Sequence, residues 1–188
     1  IYGPQELEQI VRMQLEIGHA KLDFDIRFVA LDGKSSALIF EDRLIEIHCF
    51  PLKHRIPTNG YRIQEKPKER SIIGEALRES KLSLAAIPFF RNGLDYVDEA
   101  GEIHEVDFYT LPPKPIKAYA YCSDTAYSEK IIPAIEGVDL LYHEATFTEA
   151  MVDRAKTTFH STAKQAALIA QKAGVKRLIL GHLSARYE

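Results

Sequence analysis

Three apolar runs in the second half of the chain decide the fold: AYAYCSD at 118–124, VDLLYHE at 138–144 and VKRLILGH at 175–182. Helical patterns lie between and around these runs, at about 128–135, 148–156 and 161–174. Nearly solid apolar strands that alternate with helices are typical of a sheet buried on both faces. The sequence therefore predicts an α/β fold.

Polar side chains stand where each of these runs ends. The first run ends in Asp124, the second in His143 and Glu144, and the third in His182. Sheets of α/β proteins place their ligands at the carboxyl ends of the strands. Carboxylate oxygens and imidazole nitrogens suit zinc or manganese. The repeated pattern predicts a metal site at this edge, although each residue taken singly also fits a structural role.

Two further histidines are candidates for the site. His160 comes just before Ser161 and Thr162, either of which can cap the next helix, so it is either a residue before a cap or an acid. Held against a carboxylate such as Glu144, an imidazole can donate a proton near neutral pH. His54 lies in the proline-containing loop 51–60 and is either functional or simply exposed.

Composition excludes several classes of protein. The 188 residues are 46% hydrophobic and 27% charged, which is ordinary for a globular domain. We find no apolar run long enough for a spanning helix and no signal-peptide pattern at the start of the sequence. Two cysteines, Cys49 and Cys122, lie in apolar strands and indicate a reducing, cytoplasmic setting. A net charge of -3 gives no global positive field, so any RNA binding must be local.

The first half of the chain predicts a different organisation. A helix is expected over about 4–19, followed by antiparallel strands at 25–31, 36–40 and 44–50 and a short strand at 60–64. Charge runs, a helical pattern at about 72–83 and a proline-rich end mark about 65–115 as an inserted arm. His19, His48 and His104 fit ordinary helix or strand patterns, and we assign them no role.

Four segments resemble a known family in order and spacing: AYCSDT at 120–125, LLYHEATF at 140–147, FHSTAKQAA at 159–167 and LILGHLSARY at 178–187. They are similar to the C-terminal motifs of ribonuclease Z, the tRNA 3′-processing endonuclease of the metallo-β-lactamase superfamily. KHRIPTNGYRI at 53–63 resembles the middle histidine motif of that family. The combination of HEAT with HST at this spacing is the most specific part of the resemblance.

The resemblance implies a metallo-β-lactamase-like αβ/βα sandwich, incomplete at its N-terminus, and a role for each matched residue. His54 and His182 would each ligate a zinc, and Asp124 would bridge the two zincs. Glu144 and His160 would form a proton-donating pair. The implied enzyme is a zinc-dependent homodimer that removes the 3′ trailer from precursor tRNA and leaves a 3′-hydroxyl on the tRNA.

The sequence departs from the family in two places. The HxHxDH motif that supplies most of the other ligands is absent from 1–188, so we expect a partial domain with an arm, weak zinc binding and an inactive fragment. The tip of the arm lacks the family's Gly- and Pro-rich sequence. Arg91, with Lys66, Lys68 and Arg70 close by in the sequence, and Arg186 are the candidates for contact with substrate phosphate.

Two other functions stay open on the sequence. A phosphodiesterase of the same fold could act on a small or cyclic phosphodiester, although an arm of this size is not needed for a small substrate. A metal-free module could bind RNA or a partner chain. Cleavage of a model ester in preference to tRNA would favour the first alternative.

Overall fold

The computed structural model describes residues 1–187, and the chain divides into two compact units. The first unit consists of Ile1–Glu65 together with Lys117–Glu188. The second unit is Lys66–Ile116, the segment in which the sequence predicts an inserted arm. The candidate metal and proton-donating residues and Arg186 therefore belong to the first unit, whereas Arg91 and the basic residues named with it belong to the second.

The strands are short, and most of the helices span only one or two turns. The strands are β1 Tyr2–Gly3, β2 Val29–Ala30, β3 Ala37–Glu41, β4 Ile45–Pro51, β5 Asn59–Glu65, β6 Ser71–Ile72, β7 Tyr96–Val97, β8 Ile103–His104, β9 Thr110–Leu111, β10 Ala118–Cys122, β11 Leu140–Glu144 and β12 Leu178–Gly181. The α-helices are α1 Glu6–Ile17, α2 Gly74–Glu79, α3 Ile87–Arg91, α4 Val106–Tyr109, α5 Ile132–Ile135, α6 Val152–Thr158 and α7 Ala163–Lys172. Within residues 1–187, no helix has the length and apolar character needed to cross a bilayer.

A six-stranded mixed sheet dominates the first unit. Its strand order is β12-β11-β10-β5-β4-β3. The last three strands of the chain run parallel to one another, whereas β10 pairs with β5, and β4 with β5 and β3, in antiparallel register. The parallel half places the carboxyl ends of β10, β11 and β12 side by side at one edge of the sheet.

The sequence predicts a sheet buried on both faces, but helices cover one face in the described part of the chain, and Tyr121 and Ile179 on the other face are 37% and 47% exposed. Ala120 and Leu141, which are register partners, pack with Ile135 of α5 and Ile169 of α7 in a buried core. The opposite face carries Tyr121 and Tyr142, whose stacked rings are 4.7 Å apart between centroids. A Cβ added at Gly181 would lie 2.1 Å from the hydroxyl oxygen of Tyr142, so glycine is what lets this ring lie flat against β12.

The second unit has a small core of its own. The segment IPFFRNG, in which the sequence predicted no element, contains α3. Pro88 stands in the first turn of α3, where its missing N–H costs nothing. The buried ring of Phe90 stacks on Tyr109 at 4.7 Å with nearly parallel planes, and Leu77 and Ala86 complete the cluster. Phe89, by contrast, is 46% exposed.

Several predicted elements differ from the structure in extent or pairing. The helix predicted at 72–83 is α2 alone, and the one predicted at 148–156 is a 3-10 turn at Glu149–Met151 followed by α6. The run at 25–31 forms only β2, and β2 pairs parallel with β1 rather than antiparallel with the next strands. The single helix predicted at 128–135 is a 3-10 turn at Glu129–Ile131 followed by α5. Pro133 explains this break, because proline has no N–H to donate to the carbonyl four residues earlier.

Candidate functional site

The site lies at the edge where the parallel strands end. β10 ends at Cys122, two residues before Asp124. Glu144 is the last residue of β11, and His182 comes directly after β12. Because β11 pairs with both neighbours, the three side chains are placed at one edge of the sheet, where α/β proteins bind their ligands.

Glu144 is the most completely bound residue of the site. Its side chain is fully buried. One carboxylate oxygen accepts a hydrogen bond from the backbone N–H of Thr125. The other accepts from the hydroxyl of Thr146 at 2.6 Å and from the backbone N–H of Ser161 at 3.1 Å. A buried charge is tolerated only when it is bonded in this way, so these donors hold the carboxylate in place.

His160 completes a pair with this carboxylate. Its Nδ1 lies 2.9 Å from Oε1 and 3.1 Å from Oε2 of Glu144. Nδ1–H is therefore the donor to the carboxylate, and Nε2 is the ring nitrogen left for other chemistry. The His160 side chain is 18% exposed. A histidine oriented by a buried carboxylate can give or accept a proton at its other nitrogen.

Asp124 and His182 face each other across the site. Nε2 of His182 is 3.0 Å from Oδ1 of Asp124, yet this buried Oδ1 accepts no hydrogen bond from any residue in 1–187. Both residues have left-handed backbones, with φ of 58° and 55°. The pair is close without hydrogen-bond alignment, and a buried carboxylate oxygen without a donor calls for a cation.

His54 joins the group from the loop after β4. Its Nδ1 is 3.0 Å from the carbonyl oxygen of Phe159, and its ring centroid is 5.2 Å from that of His160. Two backbone contacts fix this loop: the N–H of Lys53 donates to Thr125 Oγ1, and the carbonyl of Lys53 accepts from Ala126. The five residues for which the sequence predicts a metal or proton-donating role thus lie near one another, but His54 is not in the group whose ligand atoms lie within 4.8 Å of one another.

These residues fit a divalent metal ion. Ligand atoms of Asp124, His160 and His182 all lie within 4.8 Å of one another. The set of one carboxylate and several imidazoles suits zinc. The contact of His182 Nδ1 with Thr146 leaves its Nε2 available to a metal, and the donor-free oxygen of Asp124 supplies negative charge. Nε2 of His160 is close enough either to bind the metal or to act as the acid.

A second group of possible metal ligands lies in the second unit, but Asp98 and His104 in it are already hydrogen-bonded. His104 Nε2 is 3.2 Å from one oxygen of Asp98, and the other oxygen accepts from the backbone N–H groups of Ala100 and Glu102. The backbone bond from Glu102, together with His104, holds the pKa of the Asp98 carboxyl below its usual value. This group forms the turn between β7 and β8.

The two arginines predicted to contact substrate lie apart in the chain. Arg186 is exposed in a 3-10 turn, four positions after His182. Arg91 ends α3 in the second unit, is half-exposed and lies 3.6 Å from Glu69. Arg70 is bound to Thr110 and Asp107, so its charge is already engaged.

A cavity of about 1050 Å³ opens beside the site in the first unit. His54 and Lys53 line one part of it, and Arg62 and Lys130 line another. Its apolar lining includes Phe50 and Ile131. Sequence reasoning did not find this cavity, because its lining comes from strands and loops that are distant in sequence.

Sequence reasoning also missed two hydroxyl residues. Thr125 connects the His54 loop to Glu144, and Thr146 contacts Glu144 and His182. Both stand one or two positions after a recognised acidic residue. That position is the only signal that could have singled them out. His143 is absent from the site: it is buried, because neighbouring strand residues point to opposite faces.

Comparison with known proteins finds relatives that share one name, ribonuclease Z. No family model matches the chain. The chain is 50% identical over its 188 residues to ribonuclease Z from Parabacteroides distasonis and 42% identical to ribonuclease Z from Porphyromonas gingivalis. It spans 62% of the length of each of these relatives.

Solved structures agree with these relatives. Human tRNase Z, short form, matches all of the chain with a TM-score of 0.64 and 25% identity, and the match covers 61% of that protein. The metallo-β-lactamase fold protein YhfI from Bacillus subtilis matches 98% of the chain and 52% of its own length with a TM-score of 0.55. At 17% identity this second likeness shows the fold alone.

Proposed function

Because the chain is a homologue of ribonuclease Z over all 188 of its residues and has the metallo-β-lactamase fold, we propose that the protein is an endoribonuclease that removes the 3′ trailer from precursor tRNA. The observation that carries the proposal is the buried Glu144–His160 pair placed beside Asp124 and His182. Phosphodiester cleavage needs a proton donor for the leaving oxygen and positive charge near the phosphate.

The proton donor in this proposal is His160. Glu144 holds its Nδ1–H, so Nε2 is the atom that gives a proton to the ribose 3′-oxygen as the bond to phosphorus breaks. The 3′-oxygen is a poor leaving group unless it is protonated. The tRNA product therefore ends in a 3′-hydroxyl.

Zinc is the proposed cofactor, held by His54, Asp124 and His182. When bound, it would activate a water nucleophile and stabilise the negative charge that develops on the phosphodiester. Three ligands cannot complete two four-coordinate sites, so we expect these 188 residues alone to hold zinc weakly and to lack activity. The relatives are longer than the chain, which leaves room for further ligands in a longer protein.

The proposal also covers contact with the RNA, which rests on the positions of two arginines, and the oligomeric state, which rests on the resemblance. Arg186 and Arg91 contact phosphates of the RNA, and the protein acts as a homodimer. Cys49 and Cys122 are buried free thiols, which supports a reducing compartment such as the cytoplasm.

The test is cleavage of a precursor tRNA by the full-length protein with added zinc. We expect His160→Ala to lower the cleavage rate by about 10²–10⁴-fold, the usual contribution of a general acid, and Asp124→Ala to lower it because a proposed zinc ligand is lost. His19→Asn is the matched control, because His19 is an exposed histidine outside the site whose left-handed backbone asparagine tolerates. Intact tRNA in the presence of zinc-loaded protein that cleaves bis-p-nitrophenyl phosphate would instead indicate a small-phosphodiester substrate.

A further inference from the structure

The hydroxyl of Thr146 lies between three functional side chains. Its Oγ1 is 2.6 Å from Oε2 of Glu144, 2.9 Å from Nδ1 of His182 and 3.4 Å from Nδ1 of His160. Thr146 itself is 7% exposed, so water does not compete freely for these bonds. Such a position is unusual, because one hydroxyl contacts both a proposed metal ligand and the carboxylate of the proposed acid pair.

The hydrogen atoms of this group can be assigned by counting donors. The hydroxyl of Thr146 has one hydrogen, and the carboxylate of Glu144 can only accept, so that hydrogen goes to Glu144. The Oγ1 lone pairs are then left to accept from His182, which must carry its proton on Nδ1. His160 donates its own Nδ1–H to the nearer oxygen of Glu144.

This assignment decides whether the nitrogen of His182 that faces Asp124 carries a hydrogen. With the proton on Nδ1, Nε2 presents a lone pair at 3.0 Å from the donor-free Oδ1 of Asp124. The other tautomer would place a hydrogen on Nε2. His182 would then have no lone pair beside Asp124 with which to bind a cation.

We propose that Thr146 is a positioning residue that fixes the Nδ1–H tautomer of His182 and so leaves the Nε2 lone pair of His182, beside Asp124, for a divalent metal. The tautomer rests on the hydrogen-bond geometry alone, whereas its consequence for zinc rests on the proposed function. Partners of this kind orient metal-ligating histidines, and their loss commonly weakens metal binding by about 10–100-fold.

Nitrogen NMR of the histidine rings tests the tautomer directly. The full-length protein, labelled with ¹⁵N and free of metal, is studied at a pH where the ring of His182 is neutral. We expect the wild type and Thr146→Ser to carry the His182 proton on Nδ1. Thr146→Val keeps the size of the side chain without its hydroxyl, so we expect the proton to move wholly or partly to Nε2.

Zinc affinity provides the second measurement. Competition with a chelator should show binding about 10–100-fold weaker in Thr146→Val and nearly unchanged in Thr146→Ser. A His182 proton on Nε2 in the wild type would overturn the proposal even if the valine variant fails to fold. An unchanged tautomer in a folded Thr146→Val protein would overturn it as well. If tRNA is not cleaved but the tautomer follows the hydroxyl, the proposed function fails and the role of Thr146 stands.

Discussion

Three residues around the candidate site hold a left-handed backbone conformation. Asp124, Phe159 and His182 have φ between 55° and 59°. Non-glycine residues in this region cost about 1–3 kcal/mol each and persist where the surrounding structure determines them. The backbone turns sharply at Asp124 and His182, after their strands. The carbonyl oxygen of Phe159 accepts a hydrogen bond from Nδ1 of His54. The strain thus coincides with the residues that form the site.

The buried ring of His143 should make the stability of the protein depend on pH. Its Nδ1 bonds to the carbonyl of Glu144 at 2.7 Å, while burial lowers the pKa of the ring below its ordinary value of 6.5. Between the folded pKa and 6.5, the unfolded chain binds more protons than the folded one. The free energy of unfolding should therefore fall as the pH drops below about 6.5, by up to about 1.4 kcal/mol per pH unit from this residue.

Urea unfolding at a series of pH values measures this effect. His143→Phe has a ring of similar size that does not titrate, so its stability should vary less steeply with pH below 6.5 than that of the wild type. Any constant loss of stability from the missing hydrogen bond shifts the whole curve and leaves its slope unaffected. Parallel curves for the two proteins would show that His143 is not a neutral buried ring.

The acids and imidazoles of the site could be predicted from the sequence, but its hydroxyls could not. Asp124, Glu144 and His182 end successive strands, and parallel strands bring such ends together whatever the intervening loops do. Thr146 acts through a contact with a residue 36 positions away, and its direction depends on how β11 continues beyond Glu144. A threonine two residues after an acid is too common a pattern to indicate that contact.

Helix α7 shows how an element places a catalytic candidate. It begins directly after the segment that carries His160, with Thr162 at its N-cap. The Thr162 hydroxyl accepts from the backbone of Gln165, and the Gln165 side chain accepts from the backbone of Thr162. Thr162 also donates to Glu149 at 2.9 Å. This reciprocal capping box fixes where the helix starts and therefore where the preceding residues lie.

Removal of the cap should destabilise the first unit. Thr162→Ala is expected to lower the free energy of unfolding by about 1–2 kcal/mol, because it leaves the N–H of Gln165 without its partner and removes the hydrogen bond to Glu149. Thr162→Ser retains the hydroxyl and should lose much less. Chemical denaturation measures both variants, and an equal loss in the two would assign the effect to the methyl group instead.

The elements of the second half of the chain could be predicted better than those of the first. β10, β11 and β12 are apolar runs that alternate with helices, a pattern typical of parallel strands. They form parallel strands in the structure, although Ile179 and Leu180 of β12 stay 47% and 40% exposed. The run at 25–31 also has an apolar pattern, but only two of its residues pair with another strand, β1. Periodicity reports which face of a segment is apolar, and it contains no information on whether a partner strand exists.

At the scale of the molecule, the proposed catalytic residues and one residue predicted to contact RNA lie in different units. The Glu144–His160 pair belongs to the first unit, and Arg91 to the second, which has its own core around Phe90. A variant of Arg91 should therefore change RNA binding without changing the hydrolysis of a small ester.

Arg91→Ala should weaken precursor tRNA binding in a salt-dependent way. Arg91 is half-exposed, and its ion pair with Glu69 is loose at 3.6 Å, so its charge can reach a phosphate. Loss of one phosphate contact lowers the slope of log K against log salt by about 0.7–0.9.

Arg78→Ala is the matched control, since Arg78 is an exposed arginine at the end of α2 in the same unit. Bis-p-nitrophenyl phosphate hydrolysis should stay constant in both variants. Because the net charge of -3 provides no general attraction for RNA, an unchanged slope in Arg91→Ala would place the phosphate contacts elsewhere, with Arg186 the next residue to substitute.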